Sequence, residues 1–561
     1  MANCKEQAYS NDYFDFIVPY GLEFDTNEPG ICVQRISDDY DIVYYQRRGL
    51  PALQIGEYTY SEIPKCYTLL DQTALEVSGI LRLQDQPALA LKGRGVLVGF
   101  IDTGIDYTNP IFQYSDGSTR IVSIWDQTIS DGTPPLGISY GAQYNSEDIN
   151  RALQNENPYD IVPSRDTNGH GTFLAGVACG SEDIENDFIG AVPECEIAVV
   201  KLKEAKQYLK DFFFVEEGVP AYQENDIMLA VAYLDGLANI RNMPLVICLG
   251  LGSANGNRAG DSYMSMFLSD ISNRRKRAIV VATGNEAGMR RHFQGQLREN
   301  MEYEDVEITV EDDMDGFFIE LWADAPELYA VSLISPTGEV IPKIPIRIDT
   351  TEELDFIFEQ TKVTIDYRIE AKITANLLVF FRFIKPTKGL WVIRVYPENT
   401  VTGRYNMWLP LSKLTPKNVF FLRSNPEITL TVPSAARQLI TVGGYNAVNG
   451  SIYADSGRGY SITGNIKPDF AAPAVNVYGP GLRKNYVTYT GTSAAAAVTT
   501  GAVAQIMQWA FVEQRYAIRS AAGIKNMLIR GTVQTNERSY PNREWGYGAL
   551  NVYNSFEMLR V

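Results

Sequence analysis

Continuous apolar runs, without the alternation of a half-exposed strand, recur along the chain. Gly95-Val96-Leu97-Val98-Gly99-Phe100-Ile101, Leu245-Val246-Ile247-Cys248-Leu249 and Ala278-Ile279-Val280-Val281-Ala282 each read as a strand covered on both faces, because a parallel strand packed between helices has no polar side. Two stretches rich in small residues read as buried helices. One begins at His170 and continues through Gly171-Thr172-Phe173-Leu174-Ala175-Gly176-Val177-Ala178, and the other follows a Gly-Thr turn at Ala494-Ala495-Ala496-Ala497. Together these elements predict an α/β core around a parallel sheet. Two regions break the pattern. Short strands at 14–18, 31–36 and 42–46, with an apolar patch at 52–56, set residues 1–72 apart. Between 290 and 425, strands at 317–322, 329–334, 377–383 and 390–396 alternate with turn signals such as Ser335-Pro336-Thr337-Gly338. Short strands spaced this way predict an all-β sandwich or jelly roll.

Chemistry-bearing residues stand at the ends of these runs. Asp102 follows the first strand, where open α/β sheets build their sites, and a carboxylate there can hold one N–H of an imidazole. His170 stands between Gly169 and Gly171, and His292 is the other of two histidines in the chain. Since histidine is the usual general base near neutral pH, His170 has almost no competitor, and His292 reads as a satisfied structural residue. Ser493 precedes the Ala-rich helix. Free N–H groups at a helix start favour negative charge, so the Ser493 N–H is placed to help hold a tetrahedral oxyanion. Asn285 ends the run Ala278–Gly284, where its amide can donate the second hydrogen bond. Taken singly, Asp102 could mark a turn, Ser493 a helix cap and Asn285 a loop. The order Asp, His, Ser in these contexts points to acyl transfer by a serine nucleophile.

Composition narrows the class. At 561 residues the chain has room for about three or four domains, and 45% hydrophobic residues suffice for substantial cores. A net charge of −19 argues against nucleic-acid or anionic-membrane partners. No apolar run reaches the roughly 18–20 residues of a bilayer span, and the first residues show no basic segment followed by an apolar one, so no secretion signal is expected. Six scattered cysteines lack metal-site spacing and suit free thiols in a reducing compartment. The acidic residues between Glu302 and Asp315 read as a solvated face, since no EF-hand spacing appears. No metal or cofactor is expected.

On these motifs the chain resembles the subtilase family of serine peptidases over about 73–290 and 425–561. The likeness includes Gly250-Leu251-Gly252, the position at which the family binds the substrate backbone, and Ile466-Lys467-Pro468-Asp469, which precedes the nucleophile. It departs after Ser493, where Ala494-Ala495-Ala496-Ala497 replaces the usual Met-Ala-x-Pro, and at Ala472-Pro473-Ala474. Alanine continues a helix as proline in its first turn does, so pocket shape and rate are affected more than reaction class.

The resemblance implies a subtilisin-like parallel sheet with flanking helices, an α+β ferredoxin-like prodomain at 1–72 and an inserted all-β jelly-roll domain at 290–425 that divides the catalytic domain into 73–289 and 426–561. It implies Asp102, His170 and Ser493 as catalytic residues, Asn285 with Ser493 as the oxyanion hole, and self-cleavage between Gln72 and Thr73, about thirty residues upstream of Asp102. An uncleaved N-terminal domain is the plainer alternative. A prodomain, a β-rich insertion at this position and no secretion signal resemble the Csp spore germination proteases. That likeness implies a spore location, a docked prodomain after cleavage and, as substrate, the zymogen of a cortex peptidoglycan hydrolase. Some Csp members lack triad residues and act as silent regulators, which is the alternative function. The insertion would brace the enzyme, or bind glycan or a partner.

Overall fold

The computed structural model describes residues 4–20, 30–48, 50–55, 58–69, 75–298, 300–370, 375–415, 418–518 and 520–559. The long apolar runs assemble into an eight-stranded sheet ordered Phe470–Pro473, Ile440–Tyr445, Arg277–Ala282, Leu245–Leu249, Leu97–Asp102, Glu196–Lys201, Ile121–Asp126 and Ala142–Asn145. Every neighbouring pair is parallel except the last. Leu97–Asp102, Leu245–Leu249 and Arg277–Ala282 are buried at every position. Their successive side chains enter different cores. Val98, Val246 and Val280 pack with the helices His170–Cys179 and Thr492–Met507, while Leu97, Ile247 and Val281 pack with Glu224–Ile240 and Tyr263–Asn273. A strand sandwiched in this way carries apolar residues at both parities.

The helix Thr492–Met507, extended by a π-turn to Val512, is long and apolar enough to cross a bilayer, a property that run length alone did not reveal. It is buried along nearly its whole length inside this fold, and its small residues let it pack closely against the helix that carries His170 and against the strands beneath.

From His292 to Phe421 the chain forms two antiparallel sheets of six and five strands. Their inner faces enclose a separate core that includes Phe317, Ile319, Phe381, Phe383 and Trp391. The chain then returns to the parallel sheet at Ile440. At the N-terminus the short helix Lys5–Tyr9 accompanies a three-stranded antiparallel sheet in which Tyr40–Gln46 lies between Tyr13–Pro19 and Ile31–Arg35. Cys4 and Cys32 form a disulfide across this unit, with Cα atoms 5.7 Å apart. The expectation of six free thiols is corrected accordingly, because folding brings the start of the helix against the second strand within bridging distance. Cys66, Cys179, Cys195 and Cys248 remain free and buried.

Candidate active site

Asp102 is the last residue of its strand, and the carboxyl edge of the sheet delivers its side chain to the site. His170 Nδ1 lies 2.8 and 2.9 Å from the two carboxylate oxygens, and the Thr103 N–H donates to Oδ1 at 2.8 Å. His170 Nε2 lies 3.1 Å from Ser493 Oγ. The relative exposures of Asp102, His170 and Ser493 are 1%, 3% and 0%, so the hydrogen-bonded chain runs out of contact with solvent.

The glycines around His170 have steric causes. Gly169 precedes the helix His170–Cys179 with φ of 94°, a left-handed conformation that glycine adopts without strain. A Cβ on Gly171 would stand 2.2 Å from the Gly104 carbonyl oxygen and 3.2 Å from Asp102 Cβ. The helix thus approaches the aspartate loop so closely that only hydrogen fits.

Sequence reading missed the residues that secure this helix. Asp166, nearly buried, accepts from the N–H groups of Asn168 and Gly169 through Oδ1, and from Thr172 N–H and Oγ1–H through Oδ2. Thr172 Oγ1 in turn accepts from the Asp106 N–H, and Thr103 Oγ1 accepts from the Gly171 N–H. An Asp four residues ahead of the histidine, followed by a Thr two beyond it, was the available signal of a capped helix start.

Asn285 follows the strand Arg277–Ala282. Its Oδ1 accepts from Thr492 N–H at 3.0 Å and from Thr492 Oγ1–H at 3.2 Å. With the amide oxygen held, the NH2 is the end left to donate. Ser493 is the second residue of the helix Thr492–Met507, so its backbone N–H has no partner within the helix. These two donors stand beside the Ser493 hydroxyl, where the carbonyl oxygen of a peptide attacked by that hydroxyl would become the oxyanion.

Gly250 closes the other side. A Cβ there would lie 3.0 Å from Ser493 Cβ and 3.4 Å from His170 Cε1. The adjoining strand Leu251–Gly252 pairs antiparallel with the strand Cys66–Leu69, matching Leu251 to Leu69 and Gly252 to Thr68. The other edge of Cys66–Leu69 pairs with Tyr222–Gln223. The N-terminal segment therefore occupies an extended slot leading to Ser493. Gln72 and Thr73 lie outside the described residues.

His292 is elsewhere, on an edge strand of the antiparallel sandwich. It stacks on Trp408 with ring centroids 5.0 Å apart, and burial lowers its pKa to about 4. Lys467 is also wholly buried. Its Nζ donates to Leu439 O, Thr441 Oγ1 and Asp469 Oδ2, and desolvation lowers its pKa to about 7. The Lys-Pro-Asp segment thus braces strand ends. Among the described residues no group of three His, Cys, Asp or Glu side chains is placed to hold a metal.

A parallel α/β core carrying these three side chains defines the class, and comparison with known proteins agrees. Residues 93–310 and 422–548 match the family model described as the subtilase family, peptidase S8. The chain belongs to the subtilase family of peptidases. Its structure is similar to that of the Clostridium perfringens CspB protease, with a TM-score of 0.77 and 28% identity over 86% of this chain and 98% of that one. The C5a peptidase of Streptococcus pyogenes is 20% identical over 430 residues, 73% of this chain and 34% of that protein. A subtilisin-like protease of Arabidopsis thaliana is 35% identical over 127 residues, 19% of this chain and 15% of its own length. The chain spans about a third of the length of the C5a peptidases it matches.

Proposed function

We propose that this chain is a serine endopeptidase that first cuts its own N-terminal segment and then a protein substrate. The observation that carries the reading is the continuous hydrogen-bonded chain from Asp102 through His170 to Ser493. His170 Nε2 takes the proton from Ser493 Oγ as that oxygen attacks a peptide carbonyl. Asp102 fixes the tautomer and stabilises the imidazolium. The oxyanion is met by the Asn285 NH2 and the Ser493 N–H, and His170 returns the proton to the leaving amine. Water then repeats the cycle and releases the acid.

The strand Cys66–Leu69 supports self-cleavage, since it already lies in the slot beside Gly250. The cut is expected a few residues beyond Leu69, at or near Gln72–Thr73. The N-terminal unit is expected to stay docked. Phe14, Phe16, Tyr60 and Ile63 share one apolar cluster with Phe212 of the catalytic core and Trp322 and Phe380 of the sandwich. Glu320 of the sandwich accepts hydrogen bonds from Tyr60 Oη–H, Asn255 Nδ2–H and the Gly256 N–H, so one buried carboxylate joins all three parts. The likeness to CspB supports a role in spore germination, with the zymogen of a cortex peptidoglycan hydrolase as substrate. Intact-mass measurement of wild type and Ser493→Ala tests the reading. Wild type should appear as two co-purifying fragments and the variant as one uncut chain. Equal processing of both would refute autocatalysis by Ser493.

A further inference from the structure

Two of the buried thiols, neither used by the mechanism, meet each other. Cys179 is the last residue of the helix that begins at His170. Cys195 immediately precedes the strand Glu196–Lys201, which pairs with the strand ending at Asp102. After leaving the helix at Gly180 the chain returns alongside its last turn. The Ala191 N–H donates to Val177 O at 3.0 Å, the Val192 N–H to Ala178 O at 2.7 Å and the Cys195 N–H to Val192 O at 3.3 Å. These bonds set Cys195 against the helix end, where the Cys179 thiol donates a hydrogen bond to the Cys195 sulfur.

One guanidinium holds both residues. Arg120, 1% exposed, donates from Nη2 to Cys179 O and from Nη1 to Cys195 O at 3.2 Å, and Nη1 lies 3.9 Å from Cys195 Sγ. Its Nε–H has no acceptor among the described residues. Burial pushes the Cys195 thiol up, but the Cys179 hydrogen bond and the Arg120 charge outweigh it and bring the thiol below its ordinary value, whereas burial and the same bond raise Cys179. The pair is thus divided into a nucleophile and a partner that keeps its proton. Arg120 also lines an open cleft of about 670 Å³ with Ser181, Pro193, Glu194 and Glu196, residues that flank the two cysteines in sequence. The thiols therefore sit one side chain below a space that admits small molecules.

We propose that Cys179 and Cys195 are a hydroperoxide-sensitive dithiol, and that its conversion to a disulfide draws in the far end of the His170 helix and slows the enzyme. In the first step the Cys195 sulfur attacks one peroxide oxygen. The O–O bond breaks, Cys195 becomes a sulfenic acid, and the leaving alkoxide takes the proton that Cys195 gave up and departs as an alcohol, or as water from hydrogen peroxide. In the second, the Cys179 sulfur attacks the Cys195 sulfur. The S–O bond breaks, the S–S bond forms, and hydroxide leaves as water with the Cys179 proton. Two electrons have passed from the sulfurs to the peroxide. A covalent bond holds the sulfurs closer than a hydrogen bond does, so the helix end moves. A shift of about 1 Å at a reacting group costs about a hundred-fold, and the fraction of it carried along the helix to His170 should cost about ten-fold. The effect on rate rests on the peptidase reading, whereas formation of the bond does not.

The test uses the full chain. Protein treated with hydrogen peroxide, blocked with N-ethylmaleimide under denaturing conditions and digested without reduction should yield a Cys179–Cys195 cross-linked peptide, with Cys66 and Cys248 recovered as blocked thiols. In Cys179→Ser the second step has no attacking sulfur, so dimedone should label Cys195 as its sulfenic acid. Labelling of Ser493 by a small fluorophosphonate reads activity. Peroxide should slow it about ten-fold in wild type, dithiothreitol should restore it, and neither Cys179→Ser nor Cys195→Ser should respond to peroxide. Absence of the cross-linked peptide from wild type overturns the proposal, whether or not the serine variants fold. So does a cross-link that leaves the labelling rate unchanged, a peroxide response that persists in both variants, or no dimedone label on Cys195 of a folded Cys179→Ser. A wild type that the fluorophosphonate never labels, reduced or oxidised, removes the peptidase reading instead, and the peptide map still decides the disulfide.

Discussion

Asp15 of the N-terminal unit and Lys206 of the catalytic core form an ion pair in which neither side chain reaches solvent. Asp15 Oδ2 also accepts from Gln223 Nε2 at 3.0 Å, beside the strand that borders the slot. Burial pushes the Asp15 carboxyl up and the Lys206 ammonium down, and each charge opposes the shift of the other. Removing one partner leaves the other buried and uncompensated, a loss of about 3–5 kcal/mol. Asp15→Ala should therefore release the N-terminal fragment from the cut enzyme, read as loss of co-elution in gel filtration. Adding Lys206→Met should restore much of the co-elution, because replacing both charges removes the orphan. Undiminished co-elution of Asp15→Ala would show that the apolar cluster alone retains the fragment.

The helix bearing His170 is set against the aspartate loop at the contact of Gly171 with Gly104. A methyl group cannot occupy a point 2.2 Å from the Gly104 carbonyl oxygen. Gly171→Ala must move the helix, and displacement on the order of 1 Å at a catalytic group costs about a hundred-fold in rate. Self-cleavage followed over time by gel electrophoresis should slow by at least that factor. Circular dichroism should meanwhile report the same helix and strand content as wild type.

Thr492 turns the Asn285 amide by occupying its oxygen. Asn285→Ala should lower kcat by about 10²–10³ with a much smaller change in KM, since the lost donor acts on charge that develops in the transition state. Thr492→Val leaves the backbone N–H bond to Asn285 and removes the hydroxyl, so it should fall between wild type and Asn285→Ala. Steady-state kinetics on a chromogenic peptide gives the split. A variant altered only in KM would argue that Asn285 binds substrate and does not stabilise the oxyanion.

Local pattern carried much of the core, because buried parallel strands and Ala-rich helices leave a strong trace and are short-range features. The strand ending at Asp102 and the helices at His170 and Ser493 emerge within a few residues of their expected bounds. What escaped was long-range. Asp166 reads as one more loop acid until its two oxygens are seen on four donors. The pairing of Cys4 with Cys32 depends on how a helix meets a strand, which spacing does not encode. Thr431, reached only after the sandwich, has its Oγ1 2.4 Å from where a Cβ on Gly252 would stand, a closeness no periodicity encodes. The Glu320 junction likewise joins residues separated by 260 and 65 positions.

His292 links stability to pH through the sandwich. Desolvation, opposed by hydrogen bonds to Asn406 and Asn425 and reinforced by the nearby Arg258 charge, holds its pKa at about 4, against 6.5 for the free side chain. The folded state therefore binds the proton less tightly than the unfolded chain. The associated stability is complete above about pH 6.5 and is lost as the pH falls through about 4. A shift of this size corresponds to a loss of about 3 kcal/mol between neutral and acid pH. His292→Gln does not titrate, so its unfolding free energy should fall less steeply over that interval. Urea unfolding at pH 7.5, 5.5 and 4.0 measures both slopes. If wild type and variant lose stability in parallel, the imidazole is not buried neutral against Trp408 and the acid sensitivity belongs to the carboxylates.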